Sequence, residues 1–219
     1  MWFLLVALVF AVLTSVGILR GWRWLQFIAK PAVMVALFIY LWTSVGLSGA
    51  TIWFGLGILF SLVGDVLLLW LDRFFIFGLL SFLIGHIAYI IGFNSPPSPL
   101  SLWGLILALI VGLSGARMVR RLLAGIVEKG QLRMRAPVTV YGIVLSLMLL
   151  SAMLKLTDPS WAAGASALVG LGAFLFAASD IILAWNRFIT PIKNGRMINI
   201  AIYHIGQILL IAGVVMQFR

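Results

Sequence analysis

Residues 59–70 read LFSLVGDVLLLW and residues 174–185 read FLFAASDIILAW; in each, one aspartate interrupts an apolar run and a tryptophan follows it five positions later. A charged side chain at the centre of a bilayer costs roughly 3 kcal/mol on insertion scales, so Asp65 and Asp180 are candidate functional residues if lipid is the solvent. One apolar run further on, each is followed by a histidine: His86 in LIGHIAYII and His204 in IYHIGQILL. The same order in both halves of the chain argues against accident.

Composition makes lipid the solvent. Of 219 residues, 64% are hydrophobic and 9% charged, with a mean hydropathy of +1.22. Runs of about 20 apolar residues suit membrane helices and not a water-soluble core. They lack the alternation of a barrel strand, and backbone groups in lipid need partners within their own segment. Eight spans follow, at roughly 2–19, 25–44, 51–71, 74–93, 100–119, 137–155, 160–185 and 198–218. The first is expected to be a membrane helix and not a cleaved signal peptide, because it has no basic leader. The absence of cysteine excludes disulfides and thiolate chemistry.

The net charge of +10 could suggest nucleic acid, but its distribution reports orientation instead. Of the 15 Lys and Arg, all but Lys155 and Arg219 fall in or beside alternate loops, after spans one, three, five and seven. The positive-inside rule makes that side cytoplasmic and both termini non-cytoplasmic, as in a bacterial-type inner membrane protein. Trp22, Trp24, Trp70 and Trp185 mark the inner ends, and Trp2, Trp42, Trp53, Trp103 and Trp161 the outer ends. No nucleic-acid partner is expected. The partners expected are lipids, and the oligomeric state is left open.

Further parallels divide the single transmembrane domain into two parallel four-helix repeats, 1–97 and 98–219. Lys30-Pro31 matches Arg135-Ala136-Pro137, Gly64-Asp65 matches Ser179-Asp180, and His86-x-x-Tyr89 matches His204-x-x-Gln207. The proline-rich NSPPSP at 94–99 forms the seam. A pseudo-twofold axis would bring both carboxyls to one partly wet cavity. Two carboxyls in one such cavity divide into a proton donor and an ionised partner, as acid–base hydrolysis requires. The alternative is that each aspartate holds helices together by pairing with His, Lys or Arg. His86 with Tyr89, and His204 with Gln207, share helix faces. Two His and two Asp without HExxH, a third His or Cys do not suggest a metal site, and no cofactor is expected. Asp72 beside Arg73 reads as an interfacial ion pair. Lys30 and Arg135, each just ahead of a proline, are candidates for an anionic headgroup.

The ordered set Lys30-Pro31, Gly64-Asp65-Val66-Leu67-Leu68, Gly85-His86-Ile87-Ala88-Tyr89, Tyr141, Ser179-Asp180-Ile181-Ile182-Leu183-Ala184 and Tyr203 through Gln207 to Leu210 resembles the YhhN-like lysoplasmalogenase family. The resemblance implies hydrolysis of the vinyl-ether bond of a lysophospholipid to a fatty aldehyde and a glycerophospho-base, with no metal. It implies Asp65 and Asp180 as the catalytic pair, with His86, Tyr89, Tyr141, Tyr203 and Gln207 lining the pocket beside Lys30, Arg135 and His204. Gly206 departs from the family's expected alanine. The competing readings are a proton-coupled transporter, since parallel repeats with intramembrane carboxylates suit one too, and a different intramembrane lipid hydrolase.

Overall fold

Lipid offers a backbone amide no partner, and every apolar run here closes its hydrogen bonds as a helix. The computed structural model describes residues 2–219, apart from the side chains of Leu71 and Asp72. The ion pair expected between Asp72 and Arg73 therefore lies outside the described residues. The helices are α1 (Trp2–Leu19), α2 (Arg23–Val45), α3 (Ala50–Leu67), α4 (Leu71–Phe93), α5 (Leu102–Glu128), α6 (Arg135–Leu154), α7 (Ala163–Phe188) and α8 (Gly195–Phe218). All eight are long and apolar enough to cross a bilayer, which makes this a multi-pass membrane protein.

Most boundaries fall close to the sequence expectation; α5 does not. It runs nine residues past the expected end at 119 because charge alone does not stop a helix. Arg117, Arg120 and Arg121 turn outward while Leu122, Gly125 and Ile126 stay buried. Gly125 lies so close to the Phe188 carbonyl that no side chain would fit there. The helix ends where Gly130 adopts φ +68 and Gln131 N–H reaches back to the Ile126 carbonyl at 2.9 Å, a Schellman closure.

The tightest packing is within two hairpins, α3 on α4 and α7 on α8. The halves meet along α4–α6 and where α8 lies against α1 and α2. Helix α5 leans on α6 and touches little else, so most of its surface faces outward. Without a hydrophobic force to drive helices together in lipid, small residues let backbones approach. A Cβ on Gly85 would lie 3.2 Å from the Gly57 carbonyl, and one on Gly206 would lie 2.8 Å from the Gly172 carbonyl. Counted from these two crossings, Asp65 corresponds to Asp180, His86 to Gln207 and Phe82 to Tyr203. The expected match of His86 with His204 is thus one helical turn out of register.

Away from the basic end, Lys155 and Asp158 are buried and paired at 3.0 Å. The Lys155 ammonium also donates to the Pro96 carbonyl at 3.4 Å, tying the seam between the halves to the end of α6. The Asp158 carboxyl is held at about 2, below its ordinary 3.8. Burial opposes its charge, and the Ser160 hydroxyl, the Lys155 ammonium and the Ser160 amide outweigh burial.

Two outcomes are expected in detergent melts. Gly206→Val should cost about 1–3 kcal/mol by overpacking the α7–α8 crossing. Gly112→Val, where an added Cβ meets nothing within 4 Å, should change stability little; equal effects would remove the crossing from the account. Asp158→Asn should cost about 2 kcal/mol at neutral pH. Because the folded carboxyl titrates below the unfolded one, that stabilisation is complete above about pH 4 and is lost as pH falls through about 2. The gap between wild type and Asp158→Asn should close over that window.

Candidate active site

Both aspartates are buried near the basic ends of their helices, and each is met by side chains from two other helices. Asp65 on α3 receives Lys30 from α2 and Tyr203 from α8. The Lys30 ammonium sits 3.1 Å from Oδ1 as an ion pair and also donates to the Asp65 main-chain carbonyl at 3.3 Å. The Tyr203 hydroxyl donates to Oδ2 at 2.9 Å. Lys30 reaches this depth because it lies well inside α2, with Pro31 in the helix interior.

Asp180 on α7 receives Tyr141 from α6 and His86 from α4. Tyr141 donates to Oδ2 at 2.6 Å. His86 Nε2 stands 2.9 Å from the same oxygen and 3.0 Å from the Tyr141 hydroxyl. Two titratable groups therefore converge on one carboxylate oxygen. With its proton on Nε2 the imidazole donates to Oδ2, and Nδ1 is a buried acceptor with no partner. The helix pairs mirror one another: Asp65 is held from α2 and α8, Asp180 from α6 and α4. The chemistry differs, with an ammonium on the first acid and an imidazole on the second.

Between the two clusters runs a third link. Tyr89 donates to Gln207 Oε1 at 2.8 Å, and Gln207 Nε2 donates to Ser61 Oγ at 3.1 Å. The Phe176 ring fills the midline, its centroid 4.7 Å from that of His86 and 5.2 Å from that of Tyr203. The acids are near enough to interact electrostatically, yet they do not share the expected chamber. Asp180 and Tyr141 line a narrow apolar slot of about 70 Å³ between α4, α5, α6 and α7. Lys30 lines a larger cavity of about 590 Å³ at the basic end, which neither carboxylate borders. Phe75 and Leu183 border both voids and form the wall between them. Phe176, which lines neither void, separates the two polar clusters instead.

Two further expectations change. Arg135 joins neither cluster nor either cavity. It is the exposed first residue of α6, with Pro137 in the first helical turn where proline is tolerated. The analogy with Lys30 fails because that lysine sits seven residues into its helix. His204 is fully buried beside the Tyr203 ring, and neither ring nitrogen has a hydrogen-bond partner. It makes no contact with Asp65 to mirror that of His86 with Asp180. The sequence reading missed Ser61 and Phe176, although each precedes an aspartate by four residues and so shares its helix face. Among the described residues no three His, Asp or Glu side chains gather as metal ligands.

Breaking a buried ion pair from one side strands a charge. Lys30→Met should therefore cost about 3–5 kcal/mol in denaturant unfolding, and adding Asp65→Asn should restore part of it. A Lys30→Met protein as stable as wild type would remove the pair from the stability account.

The chain matches the family model described as "YhhN family" over residues 25–214. Lysoplasmalogenase TMEM86B of Mus musculus is 32% identical over 190 residues, covering 86% of this chain and 74% of that protein. Lysoplasmalogenase TMEM86A of Homo sapiens is 32% identical over 157 residues, covering 70% of this chain and 61% of that protein. Lysoplasmalogenase TMEM86B of Homo sapiens is 29% identical over 188 residues, with 85% and 74% covered. No solved structure matches.

Proposed function

The chain belongs to the YhhN family, and from that premise we propose that it is an intramembrane hydrolase of the lysoplasmalogen vinyl-ether bond, releasing a fatty aldehyde and a glycerophospho-base. The observation that carries this reading is the convergence of Asp180, His86 and Tyr141 at the wall of an apolar slot. A vinyl ether needs a proton on the alkene carbon one removed from the carbon bearing oxygen, delivered where the hydrocarbon chain lies. The Asp180–His86–Tyr141 group is the donor. Protonation leaves an oxocarbenium ion, and water adds to its oxygen-bearing carbon and gives up a proton. The hemiacetal then collapses to aldehyde and alcohol, so one water is consumed and the catalytic proton is returned.

Asp65 supplies the second carboxylate, facing the developing cation from beyond Phe176. Lys30 and Tyr203 fix its position, and Tyr89 with Gln207 ties α4 to α8, the helices that bring His86 and Tyr203 to the two acids. Preorganised charge of this kind is effective because it needs no rearrangement during reaction. His204 is a packing residue beside Tyr203 in this scheme. The two matching Gly–Gly crossings and the mirrored helix pairs around each acid support a parallel repeat. The basic loops support a cytoplasmic placement for that end and outward termini in a bacterial-type inner membrane.

Detergent-solubilised protein should release fatty aldehyde from a lysoplasmalogen with no ion gradient, read by mass spectrometry. Asp65→Asn and Asp180→Asn should each lower kcat by roughly 10²–10⁴-fold in protein that stays monodisperse. Fatty acid as the product would point to another lipid hydrolase. Transport in sealed vesicles without any cleavage would point to a carrier, and turnover retained in both single variants would refute the carboxylate pair.

A further inference from the structure

The arginines that mark orientation in the sequence also do something local. Arg23 at the start of α2, Arg73 near the start of α4, Arg187 near the end of α7 and Arg196 at the start of α8 come from four separate helices. All four line the cavity of about 590 Å³, with Lys30 bordering it too. Among the described residues no carboxylate lines it. Residues that only obeyed the positive-inside rule would spread over the loops, as Arg120 and Arg121 do on the exposed flank of α5. Here Arg23 and Arg196 are near enough to repel one another. Arg196, though exposed, is tied to the edge of the cavity by donating to Oε1 of Gln26 at 2.8 Å. Gln26 is itself buried and anchored by its amide to the Gly17 carbonyl at 2.9 Å.

Arg23, Arg73 and Arg196, brought from three helices to the edge of one void, suit an anion in it. Guanidinium forks match phosphate oxygens in shape as well as charge. The cavity volume falls in the usual range for small-molecule sites, about 300–1,000 Å³. Trp70 also lines it, and interfacial tryptophans sit at the depth of lipid headgroups. The void backs on to the Asp180 slot across Phe75 and Leu183.

We infer that Arg23, Arg73 and Arg196 form a phosphate-binding basin that receives the phosphate of a lysophospholipid headgroup while its chain lies in the slot beyond Phe75. That the bound lipid is a substrate rests on the hydrolase reading; the phosphate site does not. The wild-type protein in neutral detergent at low salt is titrated with glycerophosphoethanolamine, inorganic phosphate and glycerol, and binding is followed by calorimetry. Both phosphate compounds should bind and glycerol should not. Glycerophosphoethanolamine at least tenfold tighter than inorganic phosphate identifies a headgroup site; equal affinities identify a site for free phosphate and overturn the headgroup assignment.

Arg23→Gln/Arg196→Gln should weaken phosphate binding at least tenfold, and Arg23→Gln alone should weaken it severalfold if the double variant fails to fold. Arg120→Gln/Arg121→Gln removes the same charge from α5 and should leave binding unchanged. The basin is overturned if neither phosphate compound binds the wild type, if the Arg23 and Arg196 variants bind like wild type, or if the α5 variant loses affinity equally. None of these readouts involves cleavage, so absent aldehyde release with intact phosphate binding would sink the hydrolase reading alone.

Discussion

A lysine ammonium and an aspartate carboxylate buried among lipid-facing helices must find each other or remain exposed to solvent. Lys30 and Asp65 meet at 3.1 Å, and that constraint holds α2 against α3. Tyr203 then brings α8 to the same carboxylate, and Gln207, one turn further along α8, reaches Tyr89 and Ser61. Through this chain of polar contacts the first acid sets the position of helices that belong to both halves. Asp180 is met by an imidazole and a phenol instead.

The two acids differ although the helices around them correspond. An ammonium meets Asp65, whereas His86 and Tyr141 share a single oxygen of Asp180. Phe176 stands between the two clusters. A pair of carboxylates on one fold thus acquires two environments, the usual way in which one chemical group comes to serve two roles.

Some of this is legible in the sequence because it violates its background. Asp65, Asp180 and His86 stand out against apolar helices, and the eight spans follow from hydropathy. The rest depends on crossings that text does not record. His86 and His204 look equivalent in their strings, but Gly85 and Gly206 set the α3–α4 and α7–α8 crossings and place Gln207 where His86 would correspond. Arg135 resembles Lys30 because a proline follows each closely, yet one proline opens its helix and the other sits in the middle of it. Phe176 was invisible because an aromatic among aliphatic residues carries no contrast. The arginine cavity was hidden for the opposite reason, since its members already had an explanation as markers of sidedness.

The wall shared by Phe75 and Leu183 has a consequence for what leaves the protein. On one side lies a cation-lined space, on the other a greasy cleft beside α5, the helix least bound to its neighbours. A lipid cut where these spaces adjoin yields one fragment soluble in water and one soluble in hydrocarbon, each already on the side of its own solvent. Neither fragment has to cross the other's path to depart. On the proposed hydrolase reading, an insoluble, reactive aldehyde would leave into the bilayer without passing through the aqueous phase.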